Sequence, residues 1–157
     1  GMEVIAHDPF VPEEEIVAAG AIARTAGSVI ENADYLSLHM PLTEQTRHMI
    51  DQETIMRMRD GARIVNCARG GLLDEVATAH ALDAGKLAGV ALDVFENEPP
   101  AVDNPLFGRK DVLTTPHLGA YSHEAQSKVA GELAQVFTDF LKHKKPTNLI
   151  NPSAVSM

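Results

Sequence analysis

RIVNCARGGLLDEVATAHALDAGKLAGVALD, residues 63 to 93, sets the architecture of the chain. It opens on a β-rich apolar run, Arg63 to Cys67, then offers one arginine and two glycines, Arg69-Gly70-Gly71. A helical segment follows from Asp74 to about Ala84, and then a second apolar run from Gly89 to Asp93. Strand, helix and strand at this spacing imply a βαβ crossover, in which the helix carries the chain back so that the two strands run parallel.

The same alternation extends outward. Met2 to Ala6 reads as a strand stopped by Asp8-Pro9, followed by a short helix near Glu13 to Ala19 and a short run at Ala21-Ile22-Ala23. Tyr35 to Leu38 is the next strand, closed by Pro41. Asp51 is placed to cap a helix through Arg59, with Gly61 beyond its end. Val112 to Thr115 reads as the last strand. The expected fold is α/β, a doubly wound parallel sheet with helices on both faces.

From Ser122 the pattern becomes that of one long helix. Val129, Leu133, Val136, Phe137, Phe140 and Leu141 follow the spacing of a single buried stripe. Glu124 in the first turn and Lys142, Lys144 and Lys145 in the last complement the helix dipole. Pro146 ends it, and the tail from Thr147 to Met157 carries no periodicity and is expected to pack on something else. Residues 1–121 and 122–157 are thus expected to form two parts.

Bulk composition narrows the function classes. The 157 residues suffice for one domain with a core. A formal net charge of −9 argues against a non-specific grip on nucleic acid, which needs a basic footprint. No run approaches the length of a membrane span, and the start of the chain has no basic segment or cleavage pattern of a signal peptide. A single cysteine, Cys67, cannot form an internal disulfide and suits a reducing cytoplasm. None of the seven histidines sits at a metal-ligand spacing, and no G-x-S-x-G elbow occurs, so zinc and serine-hydrolase chemistry are discounted.

In open parallel sheets, ligands bind beyond the carboxyl ends of the strands. Asp8, His39, Arg69, Asp93 and His117 each stand at or just after such an end. A carboxylate at Asp8 suits the hydroxyls of a ribose and repels a 2′-phosphate, although Asp-Pro is also a common turn. The guanidinium of Arg69 fits a carboxylate with a planar fork, and the two glycines beside it allow close approach; a surface ion pair is its alternative. Glu98, in an acidic loop stopped by Pro99-Pro100, and His117 form a carboxylate and imidazole pair suited to moving a proton near neutral pH. Each also has a plain alternative, a solvated loop acid and a histidine bonded to backbone.

VNCARGGLLDE, GVALDVFENEPP and TTPHLGA, in that order, resemble the D-isomer-specific 2-hydroxyacid dehydrogenases. DYLSLHMPLTEQTRHMI looks like that family's preceding segment, and HLGAYSHEAQ looks most like its phosphoglycerate dehydrogenase branch, with Tyr121 where that branch usually has a small residue. The resemblance covers nearly the whole chain. It implies a Rossmann-type sheet, NAD as cofactor, a 2-oxo or 2-hydroxy acid of the 3-phosphoglycerate or hydroxypyruvate type as substrate, and a homodimer formed through the NAD-binding domain. It implies Arg69, Glu98 and His117 as the catalytic set. Asp8, His39, Met40, Cys67, Ala68, Arg69, Asp93, His117, Gly119 and Ala120 would line the NAD site. The family's G-x-G-x-x-G turn belongs about twenty residues before Asp8, and no such motif occurs in residues 1–157. The chain is therefore expected to be the C-terminal part of a dehydrogenase, inactive by itself: residues 1–121 an incomplete Rossmann sheet lacking its first Gly-rich βα unit, and residues 122–157 a long helix and tail that pack back toward the absent substrate domain. Corepressors of the C-terminal-binding-protein type resemble the same family and use the NAD-bound fold as a scaffold for protein partners, which is the alternative function.

Overall fold

Two short parallel strands open the chain in the computed structural model, β1 (Ile5–Ala6) and β2 (Ile22–Ala23), joined through helix α1 (Glu13–Ala18). Helix α2 (Ala26–Asn32) leads to β3 (Tyr35–Leu38), α3 (Gln52–Arg57), β4 (Ala62–Asn66), α4 (Glu75–Asp83), β5 (Leu87–Leu92) and β6 (Val112–Thr114). The strands form a pair β1-β2 and a four-stranded sheet β3-β4-β5-β6, and the strand pairings among the described residues are all parallel. The parallel α/β architecture read from the sequence is borne out. The structure describes residues 1–143, so Lys144, Lys145, Pro146 and the tail lie outside the described residues. The described residues fall into two compact units, Gly1–His117 and a second that begins at Leu118.

Local chemistry accounts for the helix starts. Asp51 accepts from the Thr54 N–H at 2.8 Å at the head of α3, as its position in the sequence suggests. Asp74 accepts from the N–H groups of Val76 and Ala77 at the head of α4. Such caps satisfy donors that the helix leaves open and are worth about 1 kcal/mol each. Helix α2 has no counterpart in the sequence reading. Its signal was Thr25, whose hydroxyl accepts from the Ser28 N–H, but the seven-residue segment AGSVIEN carries too few apolar residues to show a period.

Several bounds differ from the sequence reading. The first strand keeps only Ile5–Ala6 of the expected Met2 to Ala6; Met2 and Val4 are exposed, although the Val4 carbonyl still accepts from the Ile22 N–H at 2.8 Å. α3 stops at Arg57, with Met58 as an extended C-cap that is buried in the core.

Strand register decides which side chains are buried. Leu36 and Leu38 of β3 sit level with Ile64 and Asn66 of β4, and these with Val90 and Leu92 of β5. All six are buried, and the five apolar ones join Ile50, Ile55, Leu72, Leu73, Leu82 and Leu106 in one core. Helix α4 lies against β5 with Ala77, Thr78, Ala79 and Ala81 buried, small residues that let helix and sheet approach closely. Removing a side chain such as Ile64 would cost about 2–5 kcal/mol, the transfer loss plus the cavity left behind.

The opposite row is Tyr35, Ser37, Arg63, Val65, Gly89, Ala91 and Leu113, none of it buried. Among the described residues the helical cover expected on both faces is therefore complete on one face of these four strands only. Apolar strand content signals burial but does not say which segment supplies it.

In the second unit, α5 (His123–His143) is the long helix expected, and Ser122 caps it by accepting from the Ala125 N–H. Its stripe, however, is open. Among the described residues Val129, Leu133, Phe137, Phe140 and Leu141 are exposed and Val136 is half-buried. Amphipathic spacing specifies a face that can be buried, not the surface that buries it.

Candidate active site

β4 delivers Arg69 through a loop that its own last residue shapes. Asn66 is buried at the strand end; its Oδ1 accepts from the Ala68 N–H at 3.1 Å and its Nδ2 donates to the Arg69 carbonyl at 2.9 Å. Sequence reasoning missed Asn66. The available signal was an amide ending an apolar run, since a buried amide must find partners, and here loop backbone supplies them. The Arg69 guanidinium is exposed, donates to the Ala68 carbonyl at 2.7 Å, and has no carboxylate within ion-pair distance among the described residues. Its expected alternative, a surface ion pair, is not what the structure shows.

Arg69 borders a cleft of about 330 Å³ with His39, Met40, Pro41, Cys67 and Ala68, at the carboxyl ends of β3 and β4. His39 Nε2 lies 2.7 Å from the Ser37 hydroxyl, which fixes the ring orientation at that edge.

β5 and β6 bring the second group together. Thr115 N–H donates to the Leu92 carbonyl, and the Thr115 hydroxyl donates to Asp93 Oδ1 at 2.5 Å. Asp93 is buried, and its own N–H reaches the Asn66 carbonyl at 3.0 Å, so the ends of β4, β5 and β6 are tied to one another. Two residues past Thr115, His117 adopts a left-handed backbone with φ of 55°. For a residue with a Cβ that conformation is strained, and it aims Nδ1 at Glu98 Oε2, 2.7 Å away. An ionised carboxylate only accepts, so Nδ1 carries the hydrogen and Nε2 is the nitrogen that can face a ligand.

Glu98 is held from both sides. Its Oε1 accepts from the Phe95 N–H at 3.1 Å. The hydrogen bond with His117, then that N–H, hold its carboxyl below the ordinary glutamate value, against an upward push from partial burial and from the Asp93 charge. Glu98 is therefore an anion at neutral pH.

The remaining expected residues lie apart from these. Asp8 follows β1, in the two-stranded sheet, and its Oδ1 accepts from the Phe10 N–H at 2.8 Å, so it does build a turn. Oδ2 has no partner among the described residues and can still accept from a hydroxyl. Gly119 and Ala120 belong to the second unit and are exposed. Among the described residues no group of three or more His, Cys, Asp or Glu could hold a metal ion, and no helix is long and apolar enough to cross a membrane.

Residues 1–119 match the family model described as the D-isomer specific 2-hydroxyacid dehydrogenase, NAD binding domain. The chain belongs to this family. It is similar to the D-3-phosphoglycerate dehydrogenase of Bacillus subtilis (strain 168), with 44% identity over 99% of this chain and 30% of that protein. Against the human D-3-phosphoglycerate dehydrogenase the identity is 38%, over 99% of this chain and 29% of the relative. Among solved structures, a glyoxylate reductase from Paecilomyes thermophila superposes with a TM-score of 0.86 at 32% identity, covering 98% of this chain and 46% of that one. The D-lactate dehydrogenase from Aquifex aeolicus, complexed with NAD and lactic acid, gives 0.79 at 32% identity over 90% and 47%. The chain thus spans under a third of these two curated relatives. The cofactor of the family is NAD, as the sequence implied.

Proposed function

We propose that the whole protein is an NAD-dependent D-2-hydroxyacid dehydrogenase acting on a substrate of the 3-phosphoglycerate or hydroxypyruvate type, in the cytoplasm and as a homodimer. The observation that carries this reading is the Glu98–His117 contact at 2.7 Å, formed at a strand end of an NAD-binding domain. The donor set fits the cofactor. Asp8 offers an acceptor for ribose hydroxyls, and His39, Met40, Cys67 and Ala68 wall a cleft beside Arg69. These residues, with Asp93, would hold NAD, which when bound supplies or accepts a hydride.

The chain's own residues do the rest. Arg69, which meets no carboxylate among the described residues, takes the carboxylate and keto oxygen of a 2-oxo acid in its planar fork. His117 gives a proton from Nε2 to the oxygen as the ketone is reduced. Glu98 stabilises the imidazolium beforehand and retains its position while the ring becomes neutral. In the oxidative direction His117 takes the proton from the hydroxyl instead.

The test is turnover of 3-phosphohydroxypyruvate, hydroxypyruvate, glyoxylate and pyruvate by the full-length protein with NADH. Reduction of one or more supports the reading. Tight NAD binding without reduction of any would favour the corepressor-like scaffold.

A further inference from the structure

Gly70 and Gly71 stand side by side after Arg69 but are glycines for different reasons. Gly71 has φ of +78°, a left-handed conformation that disfavours side chains. Gly70 is not among the residues with positive φ, so its backbone does not require glycine. Space does. A Cβ at Gly70 would lie 1.7 Å from the Phe95 carbonyl oxygen, 2.2 Å from its carbon and 2.7 Å from the Glu96 nitrogen. The Phe95–Glu96 peptide therefore rests directly on the Gly70 backbone.

That peptide cannot easily retreat. The Phe95 ring is buried and packs on Phe107 with centroids 5.2 Å apart. Glu96 N–H donates to Glu75 Oε1 at 2.8 Å, and Glu75 Oε2 accepts from Asn104 at 2.7 Å. The Glu96 carboxylate meets Arg47 at 3.0 Å and His48 at 3.1 Å. On the Gly70 side, the Arg69 carbonyl is tied to Asn66. The Phe95 N–H, one peptide before the contact, is the group that holds Glu98.

We propose that Gly70 is a positioning residue for the Glu98–His117 pair: its bare backbone seats the Phe95–Glu96 peptide against the Arg69 loop and, through the Phe95 N–H, sets the place of the Glu98 carboxylate. The proposal rests on the role given to that pair above. Adding a methyl forces the Arg69 loop and the Glu98 turn apart, although neither side chain is altered.

The test compares full-length wild type with Gly70→Ala and with Gly89→Ala. A Cβ at Gly89 would come 3.2 Å from the Asp111 carbonyl, inside β5 and away from this turn, so it controls for general crowding. Two readouts are taken: the carboxyl titration of Glu98 by carbon NMR, and kcat and KM for 2-oxo acid reduction. The groups that set the Glu98 titration are His117, the Phe95 N–H and Asp93. In Gly70→Ala its midpoint should rise toward the ordinary glutamate value, and kcat should fall by about tenfold or more, with KM for NADH little changed. Gly89→Ala should lower stability and move neither. A folded Gly70→Ala with wild-type titration and kcat overturns the proposal. If Gly70→Ala does not fold, Glu75→Gln weakens the anchor on Glu96 without adding volume; it should shift both readouts the same way, and unchanged values there overturn the proposal equally. A wild type that reduces no 2-oxo acid would sink the proposed function, while the Glu98 titration would still decide the role of Gly70.

Discussion

His117 Nδ1 meets Glu98 Oε2 at 2.7 Å across 19 residues of sequence, and neither residue lies in a strand or helix. Sheet register brings them together. β5 and β6 pair with Leu92 level with Thr114, and the Thr115 N–H extends that ladder onto the Leu92 carbonyl. The two loops then leave neighbouring strand ends side by side. The Phe95 N–H fixes one partner and the left-handed backbone of His117 turns the other toward it.

A proton donor at His117 and a supporting anion at Glu98 should differ in the size of their effect. General acid–base groups contribute about 10²–10⁴-fold in rate. His117→Ala should therefore slow 2-oxo acid reduction by a factor in that range, and Glu98→Gln by less. Steady-state kcat with saturating NADH checks it. A His117→Ala enzyme running near the wild-type rate would leave His117 as a structural residue.

The Glu98 carboxyl lies below its ordinary value in the folded protein, chiefly through His117. A depressed folded value means that the contact stabilises the fold above the unfolded value, about 4.3, and that this contribution disappears as pH falls through the lower folded value. The stability of wild type relative to Glu98→Gln should accordingly be greatest near neutrality and shrink below about pH 4.3. With 38% of the Glu98 side chain exposed, solvent screens the pair and the difference should be modest. Urea midpoints of both proteins from neutral to acid pH measure it. A difference that grows on acidification would reverse the sign and exclude the linkage.

Arg69→Lys keeps the charge and loses the fork. Because the guanidinium has no carboxylate partner among the described residues, the exchange should cost little stability. It should raise KM for the 2-oxo acid and lower kcat together, by about tenfold or more in kcat/KM, as expected from losing one of two charge-assisted bonds. NADH affinity by fluorescence titration should stay close to wild type. Unimpaired kcat/KM would remove Arg69 from the substrate site.

Asp8 caps its own turn through Oδ1, so its replacement has two consequences. Asp8→Asn keeps an acceptor for the Phe10 N–H and removes the charge, whereas Asp8→Ala removes both. If the charge selects NAD by repelling a 2′-phosphate, both variants should narrow the ratio of kcat/KM for NADH over NADPH. Only Asp8→Ala should lose the turn as well. An unchanged ratio in Asp8→Asn would confine Asp8 to the turn.

The sequence by itself determined the order of strands and helices apart from α2, the parallel crossovers and the motifs that tie the chain to its family. Those follow from local periodicity and from residue types at fixed spacing, as in RIVNC, the Asp51 cap and the Arg69-Gly70-Gly71 loop. Tertiary structure decided what depends on neighbours distant in sequence. It showed that Asn66 braces the Arg69 loop and that Phe95 holds Glu98. It also left one row of the four-stranded sheet and the α5 stripe open among the described residues. Gly70 marks the boundary between the two. Its glycine is visible in the sequence, but the reason for it is a carbonyl 25 positions away that arrives only when β4 and β5 pair and the loops beyond them close together.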